Sequence, residues 1–430
     1  MNGDEDVVSE DELRKHNVKF IEAVFMDLNG VLRGRTFPVS CYEKLVSDGF
    51  GFDGYSVGFL NIEDSDCVAK LDPATCKIYS VNGTNVAFFI CSIEKDGRPL
   101  EVYPRYVFSE YLKKLGYKVM VGPEVEFYIL KDGKPQDEAF YMASPCSDGG
   151  EGFKRDIMER LMRLGIEVEL SHHEVGPGQH EIIIRGMEAL EMADTIVFYK
   201  HFLRSYFRAR GLDVTFMAKP FEELAGNGMH VHVSLWKDGE NVFYDNGELS
   251  TKALHFIGGL LKYSKKLCLF TNSTVNSYKR LVPGFEAPTI ISWGFGNRST
   301  LIRIPKYRKM TQESARVEYR APDPMGNVYL TMMGIVVAGI KGINEGVEPP
   351  EPFSKNAYEE PEAENLPSSL GEAMSEYEKR PFEEFGAING KFLNTKRKEW
   401  LEYLKYLSSN GLSEKTLKVT EWEWKKYLHY

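Results

Sequence analysis

The sequence predicts an α+β fold built as a small N-terminal module and a larger C-terminal one. Three observations carry that prediction. Between Lys19 and Glu94 the chain runs in short β-forming stretches joined by tight turns; Lys95-Asp96-Gly97-Arg98-Pro99 is a turn-rich spacer; beyond it, strand and helix patterns alternate with no internal repeat. At 430 residues, 43% of them hydrophobic, the chain can bury the cores that two domains require. The expected boundaries are an acidic lead at 1–15, frayed or a short helix, a first domain at 16–98 and a second at 104–430.

Within the first domain, Phe20 to Phe25 and Val31 to Thr36 read as strands around the hairpin turn Asp27-Leu28-Asn29-Gly30. A helix from Tyr42 to Asp48, a Gly-rich segment from Gly49 to Gly58, and strands near Ile78 and from Val86 to Ile93 complete it. Pro104 to Leu115 has the spacing of an amphipathic helix and feeds a long strand from Tyr117 to Leu130. Helices are then expected at Glu151–Leu164, Glu188–Arg210, Lys252–Leu267, Val328–Asn344 and Leu370–Phe382, with a final pair after Asn394. Strands are expected at Ile166–His172, Gln179–Arg185 and Gly228–Leu235. Residues 345–368, rich in Pro and Glu, read as a surface loop.

Composition removes several function classes. The net charge is −10, with Lys and Arg spread along the chain, so there is no basic face for nucleic acid or an anionic membrane. The six cysteines (Cys41, Cys67, Cys76, Cys91, Cys146, Cys268) form no CxxC pair, which predicts free thiols in a reducing compartment. The N-terminus is acidic and lacks the basic-then-apolar order of a signal peptide. The longest apolar run, Val328 to Ile340, falls short of the roughly 20 residues of a membrane span. The expectation is a soluble cytoplasmic protein.

The chemistry is concentrated in strands. In Gly122-Pro123-Glu124-Val125-Glu126-Phe127, alternation puts Glu124 and Glu126 on one face and Val125 and Phe127 on the other. Met229 to Ser234 repeats the design with His230, His232 and Ser234, directly after Ala225-Gly226-Asn227-Gly228, whose glycines allow backbone to approach a ligand. Arg316-Val317-Glu318-Tyr319-Arg320 puts two arginines and a glutamate on one face, and His172 to Glu181 adds Glu174 and Glu181 around a tight turn. Taken singly, each stretch is open to a plainer reading: a solvated strand face, structural histidines, surface ion pairs. Together they offer Glu124, Glu126, Glu174, Glu181, Glu318 and a histidine. So many converging carboxylates repel strongly unless divalent cations lie between them, and oxygen ligands with one imidazole suit Mg²⁺ or Mn²⁺ better than Zn²⁺. Arg280, Arg298, Arg303, Arg316 and Arg320 supply guanidinium groups for phosphate oxygens, the complement that phosphoryl transfer requires. Pro283 to Pro288, with Glu286 near its tip, reads as a loop able to close over a site and bring a base.

The ordered set Asp27-Leu28-Asn29-Gly30, Phe52-Asp53-Gly54, Gly122 to Phe127, His173-Glu174-Val175 through Gly178-Gln179-His180-Glu181, Gly228-Met229-His230-Val231-His232, Asn276 to Pro288, Asn297-Arg298-Ser299 and Arg316 to Arg320 resembles glutamine synthetase, type I, in its short form without the regulatory insertion. The resemblance runs through nearly the whole chain. It implies a β-grasp N-terminal domain, and a catalytic domain whose curved antiparallel sheet with flanking helices forms half of an open funnel. It implies active sites between subunits of stacked rings, typically dodecamers, and ATP-dependent ligation of glutamate and ammonium through a γ-glutamyl phosphate. One metal ion would be held by Glu126, Glu174 and Glu181, the other by Glu124, His230 and Glu318. Arg280, Arg320 and the Gly226 loop would hold glutamate, and Arg298 would serve the transferring phosphate. Glu169, His232, Ser234, Arg298, Arg303 and Arg316 would line the ATP end. Asp53, from a neighbouring subunit, would take a proton from ammonium in a pocket completed by Ser56, Tyr141 and Glu174, under a flap closed by Glu286.

Two positions depart from the family pattern. Ala225-Gly226-Asn227-Gly228 stands where Asn-Gly-Ser-Gly is usual, and Tyr55 interrupts the usual Asp-Gly-Ser-Ser after Asp53-Gly54. Both bear on substrate identity, so a γ-glutamylamine ligase that joins glutamate to an organic amine is the alternative. A non-catalytic homologue would show decay at the metal and flap positions, and none is visible. The segment Asn356 to Pro361 around Tyr358 only partly resembles the loop that carries a modifiable tyrosine in some relatives, so no nucleotidylation is expected.

Overall fold

The computed structural model describes residues 8–306, 308–360 and 363–430. Residues 1–7 of the acidic lead and Pro361, at the end of the Tyr358 segment, lie outside the described residues. The rest of the lead forms the helix Glu10–Lys15. Ser9 starts it through a capping box, accepting from the Glu12 amide while the Glu12 carboxylate accepts from the Ser9 amide at 2.9 Å.

In the first domain, Val18–Met26 lies between an antiparallel partner, Leu32–Pro38, and a parallel one, Thr84–Lys95. Asp66–Leu71 and Phe50–Asp53 extend the sheet beyond Thr84–Lys95, and Lys77–Val81 folds back on it as a hairpin. This is the mixed sheet expected of a β-grasp. The turn between the first two strands is fixed by Asp27, whose carboxylate accepts from the amides of Asn29 at 2.9 Å and Val31 at 3.0 Å. Its carbonyl accepts from Asn327 Nδ2 at 2.7 Å, where Asn327 caps the helix Val328–Glu345. Gly30, with φ +88°, is required at that junction, because a Cβ would stand 2.9 Å from the Asn327 amide nitrogen. The Asp-Leu-Asn-Gly turn therefore docks one domain on the other.

The second sheet runs in the order Val168–His173, Gln179–Ile184, Lys118–Lys131, Met229–Lys237, Val317–Tyr319, Ile302–Ile304, Trp293–Phe295. The pairing is antiparallel except for the last pair, which is parallel. Lys118–Lys131, 14 residues long, is the spine and pairs with strands on both sides. One face of the sheet carries apolar side chains such as Val125, Phe127, Val231, Val233, Val317 and Tyr319, all buried. The helices Ala189–Arg208, Thr251–Thr271 and Val328–Glu345 complete the core; the last two pack on each other, and each buries more residues than one amphipathic stripe would.

The structure differs from the sequence reading in several places: Phe50–Asp53, Asp66–Leu71, Trp293–Phe295 and Ile302–Ile304 are strands that the sequence patterns did not give. The helix expected after Asn394 starts earlier and spans Ile388–Ser409. Residues 345–368 are more than a surface loop: Ala357 and Leu366 are buried, the Phe353 amide donates to the Trp293 carbonyl at 2.7 Å, and Asn297 Nδ2 donates to the carbonyls of Phe353 and Lys355 at 3.0 and 2.8 Å. Spaced apolar residues among the prolines pin the segment to the sheet edge. All six cysteines are free thiols. Among the described residues, no helix is long and apolar enough to cross a membrane.

Candidate active site

The polar face of the second sheet forms the floor of a cavity of about 1160 Å³. Strand register assembles it. Glu181 lies opposite Glu126 across one strand pair, His230 opposite Glu124 across the next, and His232 opposite Glu318, which in turn faces Arg303. With alternate side chains on opposite faces, this register puts the acidic and imidazole groups in one row; a slip of one residue would bring mostly apolar neighbours such as Val125, Ile182 and Val231 in their place.

The row divides into two groups. In the first, His172 Nε2 lies 2.7 Å from Glu174 Oε1 and 3.6 Å from Glu181 Oε2, close to Glu126. In the second, Glu124 meets both strand histidines, His232 Nε2 at 2.9 Å and His230 Nδ1 at 3.2 Å, with Glu318 beside them. Arg303 and Arg320 donate to the two oxygens of Glu318 at 2.5 and 2.7 Å.

Electrostatics separates the groups. Burial, then the Glu174 charge, pushes the Glu126 carboxyl up to about 8, and burial with the charges of Glu124 and Glu174 raises Glu181 well above its ordinary range. In the second group burial also works against ionisation, but the hydrogen bonds and charge of the two histidines hold Glu124 well below its usual range. The neighbouring His232 and Arg320 bring Glu318 to about 2. The carboxyls of the first group thus resist ionisation side by side, Arg280 offsetting only part of the Glu126 shift, and this oxygen-rich donor set fits a divalent ion of the Mg²⁺ or Mn²⁺ type, which would favour the ionised forms.

The loop before the His-x-His strand closes the floor. Glu126 Oε2 accepts from the Gly228 amide at 2.7 Å and from Gln179 Nε2 at 3.2 Å. A Cβ on Gly228 would meet Arg280 Nη2 at 2.7 Å, His230 Nε2 at 2.9 Å and Glu126 Oε1 at 3.1 Å, so only glycine lets cation, imidazole and carboxylate converge there. Arg280 is buried and donates to the carbonyls of Ala321 at 2.7 Å and Arg320 at 3.3 Å. Asn227 turns away from the cavity: its Nδ2 donates to the Met217 carbonyl at 2.9 Å and its Oδ1 accepts from Gln179 at 3.1 Å. At Ala225 it is the backbone that works, its carbonyl accepting from the Tyr128 hydroxyl at 2.7 Å.

Of the residues singled out in the sequence, Glu124, Glu126, Glu174, Glu181, His230, Gly226, Tyr141, Arg280, Glu286, Arg298 and Arg320 line the cavity. Glu286 has a left-handed backbone, φ 58°, in its proline-bracketed loop. His232, Glu318, Arg303 and Arg316 join the row from its far side, Arg316 Nε donating to His232 Nδ1 at 3.2 Å, while the Ser234 hydroxyl accepts from Trp236 Nε1 at 3.0 Å. Glu169 is exposed on Val168–His173 and lies outside the cavity lining. Asp53 and Ser56 stand on the first domain, exposed and bonded to each other at 2.5 Å, and are not brought into this chain's own cavity. Three contributors went unassigned in the sequence: His172, Gln179 and the segment Ser354 to Tyr358, which forms a wall. The spacing of His172 and Glu174, two residues apart where a strand ends, was the available signal for the first.

Comparison with known proteins follows the same outline. The glutamine synthetase β-grasp domain family matches residues 17–96 and the glutamine synthetase catalytic domain family matches 101–427. Glutamine synthetase of Pyrococcus horikoshii is 44% identical over 98% of this chain and 98% of its own, and that of Thermotoga maritima is 40% identical over 97% and 98%. Among solved structures, a GmaS/ADP complex is 29% identical with a TM-score of 0.86, covering 98% of this chain and 99% of that one. Plasmodium falciparum glutamine synthetase, seen by cryo-electron microscopy, is 25% identical with a TM-score of 0.81, covering 98% and 99%. On sequence, domain order and fold alike, the chain belongs to the type I glutamine synthetases, ligases that form glutamine from glutamate and ammonia.

Proposed function

We propose that the cavity joins glutamate to ammonium at the expense of ATP in two steps, through a γ-glutamyl phosphate. The observation that carries this reading is the register-built row of carboxylates, one half holding carboxyls crowded together and resisting ionisation and the other flanked by Arg303 and Arg320. Glu126, Glu174 and Glu181 would hold one divalent ion, Mg²⁺ or Mn²⁺, and Glu124, His230 and Glu318 another. When bound, these ions neutralise the oxygens of the transferred phosphate.

The chain's own groups do the rest. Arg280 and Arg320, with the Gly226 loop, hold glutamate so that its γ-carboxylate oxygen faces the γ-phosphorus of ATP. His232, Ser234, Glu169, Arg303 and Arg316 belong to the nucleotide end. Arg298 meets the transferring phosphate, whose bond to ADP breaks as the bond to the carboxylate oxygen forms. Asp53 of an adjoining copy accepts a proton from ammonium, in a pocket with Ser56, Tyr141 and Glu174. The ammonia so formed attacks the carbon of the γ-carboxyl group, phosphate leaves with the electron pair of the broken C–O bond, and the proton that the new amide nitrogen sheds departs with the phosphate. Glu286 and its loop close the site against water. The exposed position of Asp53 and Ser56 outside their own chain's cavity supports a site shared between copies; the assembly read from the family resemblance is stacked rings, a dodecamer, in the cytoplasm.

The test is to quantify ADP and amide product from ATP, glutamate and ammonium with Mg²⁺ or Mn²⁺, in parallel with ethylamine, ethanolamine and putrescine. Equal amounts of ADP and glutamine with ammonium are expected. Turnover confined to the organic amines would overturn the choice of ammonium and move Ala225 and Tyr55 to the centre of a different specificity.

A further inference from the structure

A buried lysine behind the flap is left unused by this scheme. Lys219 is 2% exposed and follows the strand Asp213–Thr215, at the start of the loop that ends at Gly228. Asn276 clasps its backbone on both sides: the Lys219 amide donates to Asn276 Oδ1 at 2.7 Å, and Asn276 Nδ2 donates back to the Lys219 carbonyl at 2.9 Å. Asn276 immediately precedes Ser277–Arg280, the turn that carries Arg280 into the cavity. The Lys219 ammonium donates to the Leu224 carbonyl at 2.6 Å and stands 3.2 Å from the centre of the Phe285 ring. Phe285 lines the cavity next to Glu286.

One side chain thus ties together the loop before the His-x-His strand, the base of the Arg280 turn and the flap. Among the described residues Lys219 forms no ion pair, so its charge is met by one carbonyl and one aromatic face. Burial lowers its affinity for the proton to about 8, with Glu223 opposing and Arg280 reinforcing the shift, so the group is charged at neutral pH. A cation over a ring is attracted by the ring's electron-rich face, more strongly where water is excluded.

We propose that Lys219 is a positioning residue that holds the Phe285–Glu286 flap closed, and so decides whether the γ-glutamyl phosphate meets ammonia or water. The inference rests on the acyl phosphate reading above. In the leak it prevents, a water oxygen bonds to the carbon of the γ-carboxyl group, the C–O bond to phosphate breaks, phosphate departs with the electron pair, and glutamate and a proton are released. The net result is ATP hydrolysis with no glutamine.

The experiment measures ADP formed per glutamine formed, with saturating ATP, glutamate and ammonium, for the wild type, Lys219→Met and Lys219→Arg. The wild type is expected to give equal amounts, Lys219→Met about fivefold more ADP than glutamine, and Lys219→Arg, which keeps a cation on the ring, a ratio near the wild type. If Lys219→Met fails to fold, as circular dichroism and assembly will report, Phe285→Leu leaves the lysine in place and is expected to show the same excess of ADP. A coupled wild type with an equally coupled Lys219→Met, or with an equally coupled Phe285→Leu where that variant stands in, overturns the role of Lys219. A wild type that makes no glutamine overturns the proposed ligation of glutamate to ammonium instead.

Discussion

Two residues apart on one strand, Glu124 and Glu126 stand in opposite electrostatic surroundings. Two imidazoles stabilise the ionised form of Glu124, whereas Glu126 is buried beside Glu174 with its carboxyl pushed up to about 8. At neutral pH a carboxylate raised in this way costs the folded protein stability that a bound cation restores. Glu126→Gln is therefore expected to leave the thermal midpoint of the metal-free protein unchanged or higher, while abolishing most of the upward shift that Mn²⁺ gives the wild type. Calorimetry with and without Mn²⁺ checks both. Turnover should fall by about 100-fold or more, the scale of a lost metal ligand worth several kcal/mol. At this scale residue type and alternation made the acidic and imidazole groups legible. They did not show that Asn227 turns away from the cavity, because that depends on how a loop crosses between strands.

The elements were legible wherever apolar residues ran long, as in Ala189–Arg208 and Val328–Glu345, and wherever a turn had its own chemistry, as at Asp27 to Gly30. The segment 345–368 was misjudged because Pro and Glu dominate its composition, whereas a few apolar residues such as Ala357 and Leu366 decide its path. Register between strands is tertiary information, and it is what turns face patterns into a site. Contact between the domains adds a polar element that the sequence did not announce. Glu22 on Val18–Met26 accepts from the Tyr79 hydroxyl at 2.8 Å and lies 3.0 Å from His201 Nε2 on Ala189–Arg208. Burial alone would raise the Glu22 carboxyl, but the His201 hydrogen bond and charge, with Tyr79, hold it below its ordinary 4.5. A carboxyl lowered in the folded state contributes stability above its unfolded value and loses it as pH falls through the folded one. Glu22→Gln is thus expected to lower the thermal midpoint near neutral pH by an amount worth about 1 kcal/mol or less, with the gap to the wild type closing as pH drops below 4.5. A gap that persists unchanged into acid would contradict an ionic role for this contact.

At the scale of the whole molecule, the second domain supplies one open cavity, and the first domain carries Asp53 and Ser56 on an exposed surface away from it. Hydrogen bonds from Ser56 and Ser65 keep Asp53 below its ordinary range, so it stands ionised, as a proton acceptor for ammonium must be. On the proposed reading its partner surface belongs to another copy, so single-chain patterns reveal such a residue only as an exposed carboxylate. The spine Lys118–Lys131 sets the spacing of the site, with Glu124 facing the His230 side and Glu126 the Glu181 side. The most direct measurement is an experimental structure of the assembled protein with Mn²⁺ and ADP, with the ions located by anomalous scattering. The expected result is at least two ions, one on Glu124 and another on Glu126, in a cavity closed by Asp53 of an adjoining copy. Both carboxylates on a single ion, or an active monomer whose cavity no second copy touches, would contradict it.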